Sequence, residues 1–312
     1  MTGNWPRQCS ALLVLGVWAL VLAVRAQDGF CMVNGTTTGG AGGPTVTVTN
    51  GTDFATQISL AGPRIVQVSG PISVGTVYCG SDKTIIGLGT NAALLGHLNI
   101  SGVSNVIVRN LRITNPGNDG ITIRERNGNP GSHHVWVDHC TFIDCGDGSC
   151  DMSVGAQYNT VSWCKFIYPT QLEHRFTMIA DGYNNTAAGV TNWGWYTLHH
   201  NWWSARCDQR MPASSYGRIH MYNNFCNCTN NSYSSNARAE TEILSERNYY
   251  LRVDDALYAD ADKNGKIRTN GNIYVSITGL LTAGTDTVFT PPYPYVLDAA
   301  ADVPNLVTNG AG

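Results

Sequence analysis

Six stretches of the chain repeat one loose theme: NVIVRNLRI, HVWVDHCTF, YNTVSWCKF, WYTLHHNWW, IHMYNNFC and EILSERNYY. Each is a β-rich run, then a short polar group, then a large apolar residue. Those last residues are Ile113, Phe142, Phe166, Trp203, Phe225 and Tyr250, at intervals of 29, 24, 37, 22 and 25 residues. A unit of that length is too small to bury its own apolar face, so it must stack on copies of itself. Short β-runs at this spacing, with no helical stripes between them, predict the coils of a parallel β-helix, an all-β fold in a single domain. A β-sandwich also contains many short strands. It is not expected to repeat one polar triplet (RNL, DHC, HHN, YNN) before a large apolar residue. The two long intervals, 113–142 and 166–203, read as loops inserted into coils. Such inserts gather on one face of a solenoid, often the binding face.

Composition agrees with a large β-rich domain. The chain has 312 residues, 43% of them hydrophobic and only 13% charged, with 34 glycines and a formal net charge of −3. Without a basic excess, nucleic acid is excluded as a natural partner. One helical stripe stands out in GTDFATQISLAG, where Phe54, Ile58 and Leu60 recur at roughly helical spacing before Gly62 and Pro63 stop it. The Pro-rich TPPYPYVLDAAADVPNLV near the C-terminus is expected to wrap the outside.

The first 26 residues read as a secretory leader: Arg7, an apolar run from Ala11 to Val24, then VRA with small residues where a signal peptidase reads. The run is too short to span a bilayer well. Residues 27–312 are then the mature domain, secreted and free of the membrane, and expected to act as a monomer. Asn-x-Ser/Thr sequons begin at Asn34, Asn50, Asn99, Asn184, Asn227 and Asn230, which suits a secreted glycoprotein. Loss of Cys9 with the leader leaves nine cysteines. In an oxidising compartment these predict disulfides plus one free thiol.

The densest chemistry lies in HCTFIDCGDGSCDMSVG, residues 139–155, where Cys140, Cys145 and Cys150 alternate with Asp144, Asp147 and Asp151. Thiolate zinc calls for Cys-x-x-Cys pairs with histidine partners, and these spacings do not match. The aspartates remain as the candidate ligands. Residues i and i+4 of an extended strand share a face but lie roughly 13 Å apart, too far for one ion. If Asp147 and Asp151 act together the chain must bend between them, which Gly148 permits.

Four motifs in order, SDKTIIGLG (81–89), VWVDHCTF (135–142), DGSCDMSVGAQYNTVSWCKF (147–166) and QRMPASSYGRIHMYNN (209–224), resemble those of pectate lyases in the extracellular pectate/pectin lyase superfamily. The resemblance runs from about residue 62 to 226. It implies a right-handed parallel β-helix and cleavage of polygalacturonate, the pectin of plant cell walls, by β-elimination with calcium. It maps acidic ligands onto Asp147 and Asp151, and a further one from the preceding coil onto Asp119. Carboxylate oxygens suit calcium, a hard ion. The family pattern R-x-P-x-x-R places its proposed base at Arg210, with Pro212 fixing the local backbone. The substrate-binding lysine appears as Arg175, which keeps the charge and can grip a carboxylate bidentately. Asp144 reads as a solvated turn residue. The cysteines read as braces of this loop, with Cys140 and Cys164 at matching coil positions an attractive pair.

Two departures matter. The second arginine of the pattern is Ser215. Arg218 is the candidate substitute, although an odd offset in a strand points it to the other face. Both Arg175 and Ser215 resemble calcium-independent pectin lyases acting on methylated pectin, whereas the full acidic set favours a pectate lyase. Two further readings stay open: a polygalacturonase-type hydrolase using two carboxylates, and an inactive pectin-binding wall protein. Asp138 and His139, as adjacent strand residues, are expected to face opposite sides and to be structural. Trp193, Trp195, Trp202 and Trp203 are expected in packing roles.

Overall fold

The computed structural model describes residues 27–312 apart from 116, 128–130, 171–172 and 186–189. The expected leader therefore lies outside the described residues. The chain winds into a parallel β-helix of about nine turns. Each turn contributes a short strand to each of three faces. The first face runs through Ser104–Arg109, His133–Asp138, Asn159–Ser162, Gly194–His199, Gly217–Tyr222, Glu242–Glu246 and Lys266–Asn270, paired in parallel register. The second runs through Arg112–Thr114, Thr141–Ile143, Lys165–Ile167, Trp202–Trp203, Phe225–Cys226, Tyr249–Leu251 and Ile273–Val275. The third holds Ile121–Arg124, Cys150–Met152, Ala213–Ser214, Ser235–Ala237 and Leu257–Ala259, with residues 178–180 bridging the second and third of these. Two long strands, Arg64–Tyr78 and Lys83–Ser101, bend around all three faces at the N-terminal end.

The repeated polar triplet is the corner between the first and second faces. Its middle residue takes a left-handed conformation in coil after coil: φ is 52° at Asn110, 48° at His139, 51° at Trp163, 53° at His200, 52° at Asn223 and 47° at Arg247. The next residue turns inward. Leu111, Cys140, Cys164, Asn201, Asn224 and Asn248 fill this row, all buried. The asparagines form a ladder in which each backbone N–H donates to the side-chain oxygen one coil on: Asn201 to Asn224 at 2.9 Å, Asn224 to Asn248 at 2.8 Å, Asn248 to Asn272 at 2.8 Å. Buried amides are tolerated here because their oxygens accept along the stack and their Nδ2 groups donate to main-chain carbonyls and to the next side chain.

Core rows stack like on like. Phe142, Phe166 and Trp203 lie ring on ring, with centroids 5.0 and 5.5 Å apart. The row continues through Cys226, not Phe225, to Tyr250 and Tyr274. Phe225 is one residue early; it faces out and packs under the C-terminal helix Val303–Gly310 with Val303 and Val307. The predicted helix is present as Gly51–Ser59, with Asn50 as N-cap accepting from the Asp53 N–H at 2.9 Å. It buries Phe54 and Ile58, while Leu60 lies beyond it and is exposed. Trp203 is core, and the other three tryptophans pack on outer neighbours: Trp195 on Phe30 and Phe289, Trp202 on Phe225, Trp193 on Tyr216.

Two expectations are corrected. All nine cysteines of the described residues are buried and free. Cys140 and Cys164 do hold matching positions, but the pair is not bonded, and each sulfur faces a carbonyl of the preceding coil, Val108 and Val137. Asp138 and His139 do not face apart. The left-handed corner swings His139 back, so that its Nδ1 lies 2.7 Å from Asp138 Oδ2, which Arg109 Nε also reaches at 2.9 Å. The two side chains are bonded to each other, and Asp138 also to Arg109, instead of facing apart.

The C-terminal segment crosses the outside of the first face, as its proline content predicts. It is fastened at Glu246, whose carboxylate accepts from His220 Nε2 at 3.0 Å, Tyr295 OH at 2.8 Å and Asn270 Nδ2 at 2.9 Å. Burial alone would raise this carboxyl; the bonds from His220, Asn270 and Tyr295 outweigh it and hold it at about 2 against an ordinary 4.5. A lowered carboxyl stabilises the fold above its unfolded value, and the contribution fades as pH falls towards the folded one. Glu246→Gln is therefore expected to lower the unfolding midpoint at pH 7 by a few degrees, the effect of about 1–2 kcal/mol on a chain this size. The gap to wild type should close between pH 4.5 and 2. Thermal unfolding across that range checks it, and an undiminished gap at pH 2 contradicts it.

Candidate active site

The third face and the corner leading into it carry the acidic residues. Alternation along Cys150–Met152 buries Cys150 and Met152 inward and leaves Asp151 facing out, paired across the coils with Thr122. Asp151 is nonetheless only 8% exposed, because the next coil covers it and the Ile179 N–H donates to its Oδ1 at 2.9 Å. Asp119 sits at the same corner one coil earlier. Its Oδ1 accepts from the Gly148 N–H at 3.0 Å and its Oδ2 from the Thr122 hydroxyl at 2.6 Å. The Thr122 oxygen lies 2.8 Å from His97 Nε2. With its proton given to Asp119, Thr122 accepts there, so the histidine carries its proton on Nε2.

Gly148 is where the two carboxylates meet. Its N–H holds Asp119, and a Cβ at this position would run into the Asp151 carboxylate. The bend expected between Asp147 and Asp151 is therefore present, and a larger residue there would have to displace the Asp151 carboxylate. Asp147 is half exposed and turned the other way, with Oδ1 3.6 Å from Arg210 Nη1. Among the described residues, no three His, Cys, Asp or Glu side chains already converge as a closed metal-binding group. The donor set is three carboxylates with no thiolate or imidazole among them, which suits a hard cation and not zinc.

Electrostatics sharpen this. Burial pushes the Asp151 carboxyl well above the usual carboxylate range. Asp119 and Asp147 push the same way, while the Ile179 N–H and Arg210 oppose them. A buried carboxylate beside two others either takes a proton or takes a cation.

Arg210 lies two coils beyond Asp151, in a left-handed conformation with φ 64°. Its carbonyl accepts from the Met178 N–H at 2.8 Å and from the Thr177 hydroxyl, which fixes a backbone that a non-glycine residue adopts only under restraint. The Met211–Pro212 peptide bond that follows is cis. The guanidinium lies over the Phe176 ring, 3.9 Å from its centroid, and reaches back to Asp147. Among the described residues its buried Nε has no hydrogen-bond partner. Arg210 therefore presents an unspent donor edge beside the acids.

The other two predicted arginines are placed differently. The Arg175 carbonyl accepts from the Asp208 N–H at 3.0 Å, on the loop ahead of Phe176, and among the described residues no ion pair joins it to the acids. Arg218 is not brought to this site. It stacks on Trp193 at 3.8 Å, donates to the Glu240 carbonyl at 2.8 Å and pairs with Glu242 at 3.5 Å. Asp144 lies at a left-handed bend but is buried, not solvated as expected, and accepts from the Thr170 N–H at 3.2 Å.

Sequence reasoning missed Asp181. It follows Ile179 by two residues, so it faces the same way, and its Oδ1 accepts from the Ser215 N–H at 2.6 Å. Burial raises its carboxyl to about 6, against the pull of the Ser215 N–H, Arg238 and Arg210. The alternation in FTMIAD is the available signal. It is hard to read because no matching strand is evident there from sequence.

Comparison with known proteins bears on this arrangement. The family described as pectate lyase matches residues 8–312. A pectate trisaccharide-lyase of Bacillus licheniformis is 29% identical over 317 residues, covering 93% of this chain and 87% of that protein. A probable pectate lyase A of Neosartorya fischeri is 33% identical over 301 residues, covering 92% and 88%. Among solved structures, the pectate lyase Bsp165PelA from Bacillus sp. N165, in complex with trigalacturonate, superposes with a TM-score of 0.78 at 25% identity, covering 92% of this chain and 98% of that one.

Charge burial at Asp151 has a measurable consequence. A carboxyl raised by the fold costs stability wherever it is ionised, and the cost is absent below its unfolded pKa. In chelator at pH 7, Asp151→Asn is expected to unfold at a higher temperature than wild type, because the amide keeps the oxygen that accepts from Ile179 and loses the charge. At pH 3.5 the difference should vanish. A variant less stable than wild type at pH 7 in chelator contradicts the reading of Asp151 as an unbalanced buried charge.

Proposed function

The chain belongs to the pectate lyase family, and from that premise we propose a secreted, calcium-dependent pectate lyase that cleaves α-1,4-polygalacturonate by β-elimination, with Arg210 as the base. The observation that carries the proposal is the buried, unpartnered Nε of Arg210, held on a fixed backbone beside Asp119, Asp147 and Asp151. Secretion rests on the leader pattern of residues 1–26. The remaining residues, 27–312, form the catalytic domain.

Asp119, Asp147 and Asp151 would hold the calcium, each through carboxylate oxygen. When bound, the ion would neutralise the galacturonate carboxylate and so make the neighbouring C5–H more acidic. Asp147 must then turn from Arg210 towards the other two acids, which its half-exposed side chain permits. That release also leaves the Arg210 guanidinium without its carboxylate partner. Arg210 takes the C5 proton, the C5–H electrons form the C4=C5 double bond, and the bond from C4 to O4 breaks. The departing O4 takes a proton from water. A base must hold a free electron pair at that moment, whereas arginine ordinarily keeps its proton; release of Asp147 removes the carboxylate that pairs with the charged guanidinium. Phe176 beneath the guanidinium keeps it oriented and dry on one side. Arg175, on the loop ahead of Phe176, is given the role of gripping a substrate carboxylate.

Two measurements test this. Arg210→Ala should lose several orders of magnitude in turnover on polygalacturonate while substrate binding and folding survive, and Arg210→Lys should also be poor, since an ammonium differs in reach and geometry. Activity within about tenfold of wild type, only ~1.4 kcal/mol in the barrier, would move the role elsewhere. Separately, a chelator should abolish release of unsaturated uronate from polygalacturonate. Calcium should restore it and magnesium should not, because magnesium demands a smaller, more regular shell. Full activity in chelator with preference for methylated pectin would replace this reading with a calcium-independent pectin lyase.

A further inference from the structure

Asp181, Ser215 and Arg238 lie on three successive coils of the third face. Ile179 bridges Ala213, and Ala213 pairs with Asn236; each of the three residues is two positions further on, so they form the next outward row. Ser215 stands where the R-x-P-x-x-R pattern has its second arginine. The row therefore has no cation at its middle coil. On one side of that gap is Asp181, bound to the Ser215 N–H at 2.6 Å. On the other is Arg238, held by Asn236 Oδ1 at 2.9 Å through Nε and by the Tyr233 hydroxyl at 2.9 Å through Nη2. Among the described residues Asp181 forms no ion pair; Arg210 and Arg238 act on it only from a distance. Past the base on that coil, Arg218 is spent on Glu242 and Trp193 and His220 on Glu246.

A polygalacturonate chain carries a carboxylate on every unit. Along this face it would meet Arg210 and, on the coil before it, a fixed carboxylate in a mostly buried setting where like charges repel strongly. A methyl-esterified unit carries no charge and meets no such repulsion. We propose that Asp181 is a specificity-determining residue, making the subsite next to Arg210 favour an uncharged, methyl-esterified galacturonyl unit while the unit at the Asp119–Asp151 cluster keeps its free carboxylate. The preferred substrate is then partially methylated pectin, not fully de-esterified polygalacturonate. This inference rests on the reading of the Arg210 site as pectate-cleaving. It differs from a calcium-independent pectin lyase, because one free carboxylate and the metal are still required.

The test compares kcat/KM on polygalacturonate and on pectin of intermediate methylation, both with calcium at pH 8, for wild type and two variants. Wild type should prefer the partially methylated substrate. Asp181→Asn keeps the oxygen that accepts from Ser215 and removes the charge; it should shift the preference towards polygalacturonate by about tenfold, the scale of one like-charge contact, through a gain on polygalacturonate. Ser215→Arg leaves the Asp181 residue in place but sets the missing cation beside it, offsetting its charge, and should shift the ratio in the same direction. A ratio within about twofold of wild type in Asp181→Asn overturns the proposal. So does equal loss on both substrates in that variant, which would assign Asp181 a structural role, and so does a shift in the opposite direction in Ser215→Arg. Absence of unsaturated product from wild type on either substrate would overturn the pectate-cleaving reading itself, and this inference with it.

Discussion

Everything in this structure depends on parallel, in-register stacking. A residue's nearest outward neighbour is the residue at the same position one coil away, about 4.8 Å distant. Like therefore falls on like, and each row must be self-compatible. Apolar and aromatic rows satisfy this at once, as Phe142, Phe166 and Trp203 do. Amides satisfy it by bonding along the stack, as Asn201, Asn224, Asn248 and Asn272 do. Imidazoles satisfy it with aromatic and carboxylate neighbours: Trp163 stacks on His200, and Asp298 accepts from that histidine.

Carboxylates cannot satisfy it alone. Asp119 and Asp151 fall on adjacent coils, converge on Gly148, and are joined by Asp147 from the bend between. The fold brings in Arg210 from two coils away but pairs it with Asp147 and not with the more buried Asp151. The rule that builds the rest of the molecule thus leaves a concentrated negative charge on one face, with an unspent guanidinium edge beside it. A cation and an anionic sugar chain are complementary to that pattern in the same place. The chemistry of the site is a consequence of the stacking geometry, and Gly148 is the residue whose small size permits it.

Much of this is legible in the chain. The repeated triplets announce the coils because the corner they encode recurs with the same left-handed middle residue. Motif and spacing pick out Asp119, Asp147, Asp151 and Arg210; in the structure Asp119 and Asp151 meet at Gly148, while Asp147 turns to Arg210. The differences between sequence and structure share a cause: strand alternation fails across corners. His139 returns to Asp138 because its φ is positive. Phe225 imitates the core residue because the shortest repeat ends in Cys226, a small residue in a row of large ones. Cys140 and Cys164 do align, but alignment on adjacent coils does not by itself bring two sulfurs into bonding geometry. Asp181 escapes notice because Ile179 and Ala180 form only isolated bridges, too short a strand to show a period.

The central claim is that Arg210 and the Asp119, Asp147 and Asp151 carboxylates act on one sugar unit. The most direct measurement is a crystal structure of Arg210→Ala with calcium and trigalacturonate. The account predicts a calcium ion shared by those three carboxylates and a galacturonate carboxylate, with the C5–H of that unit or its neighbour pointing at the space the guanidinium has vacated. An oligosaccharide bound elsewhere, or bound here with no metal at Asp119 and Asp151, would contradict it.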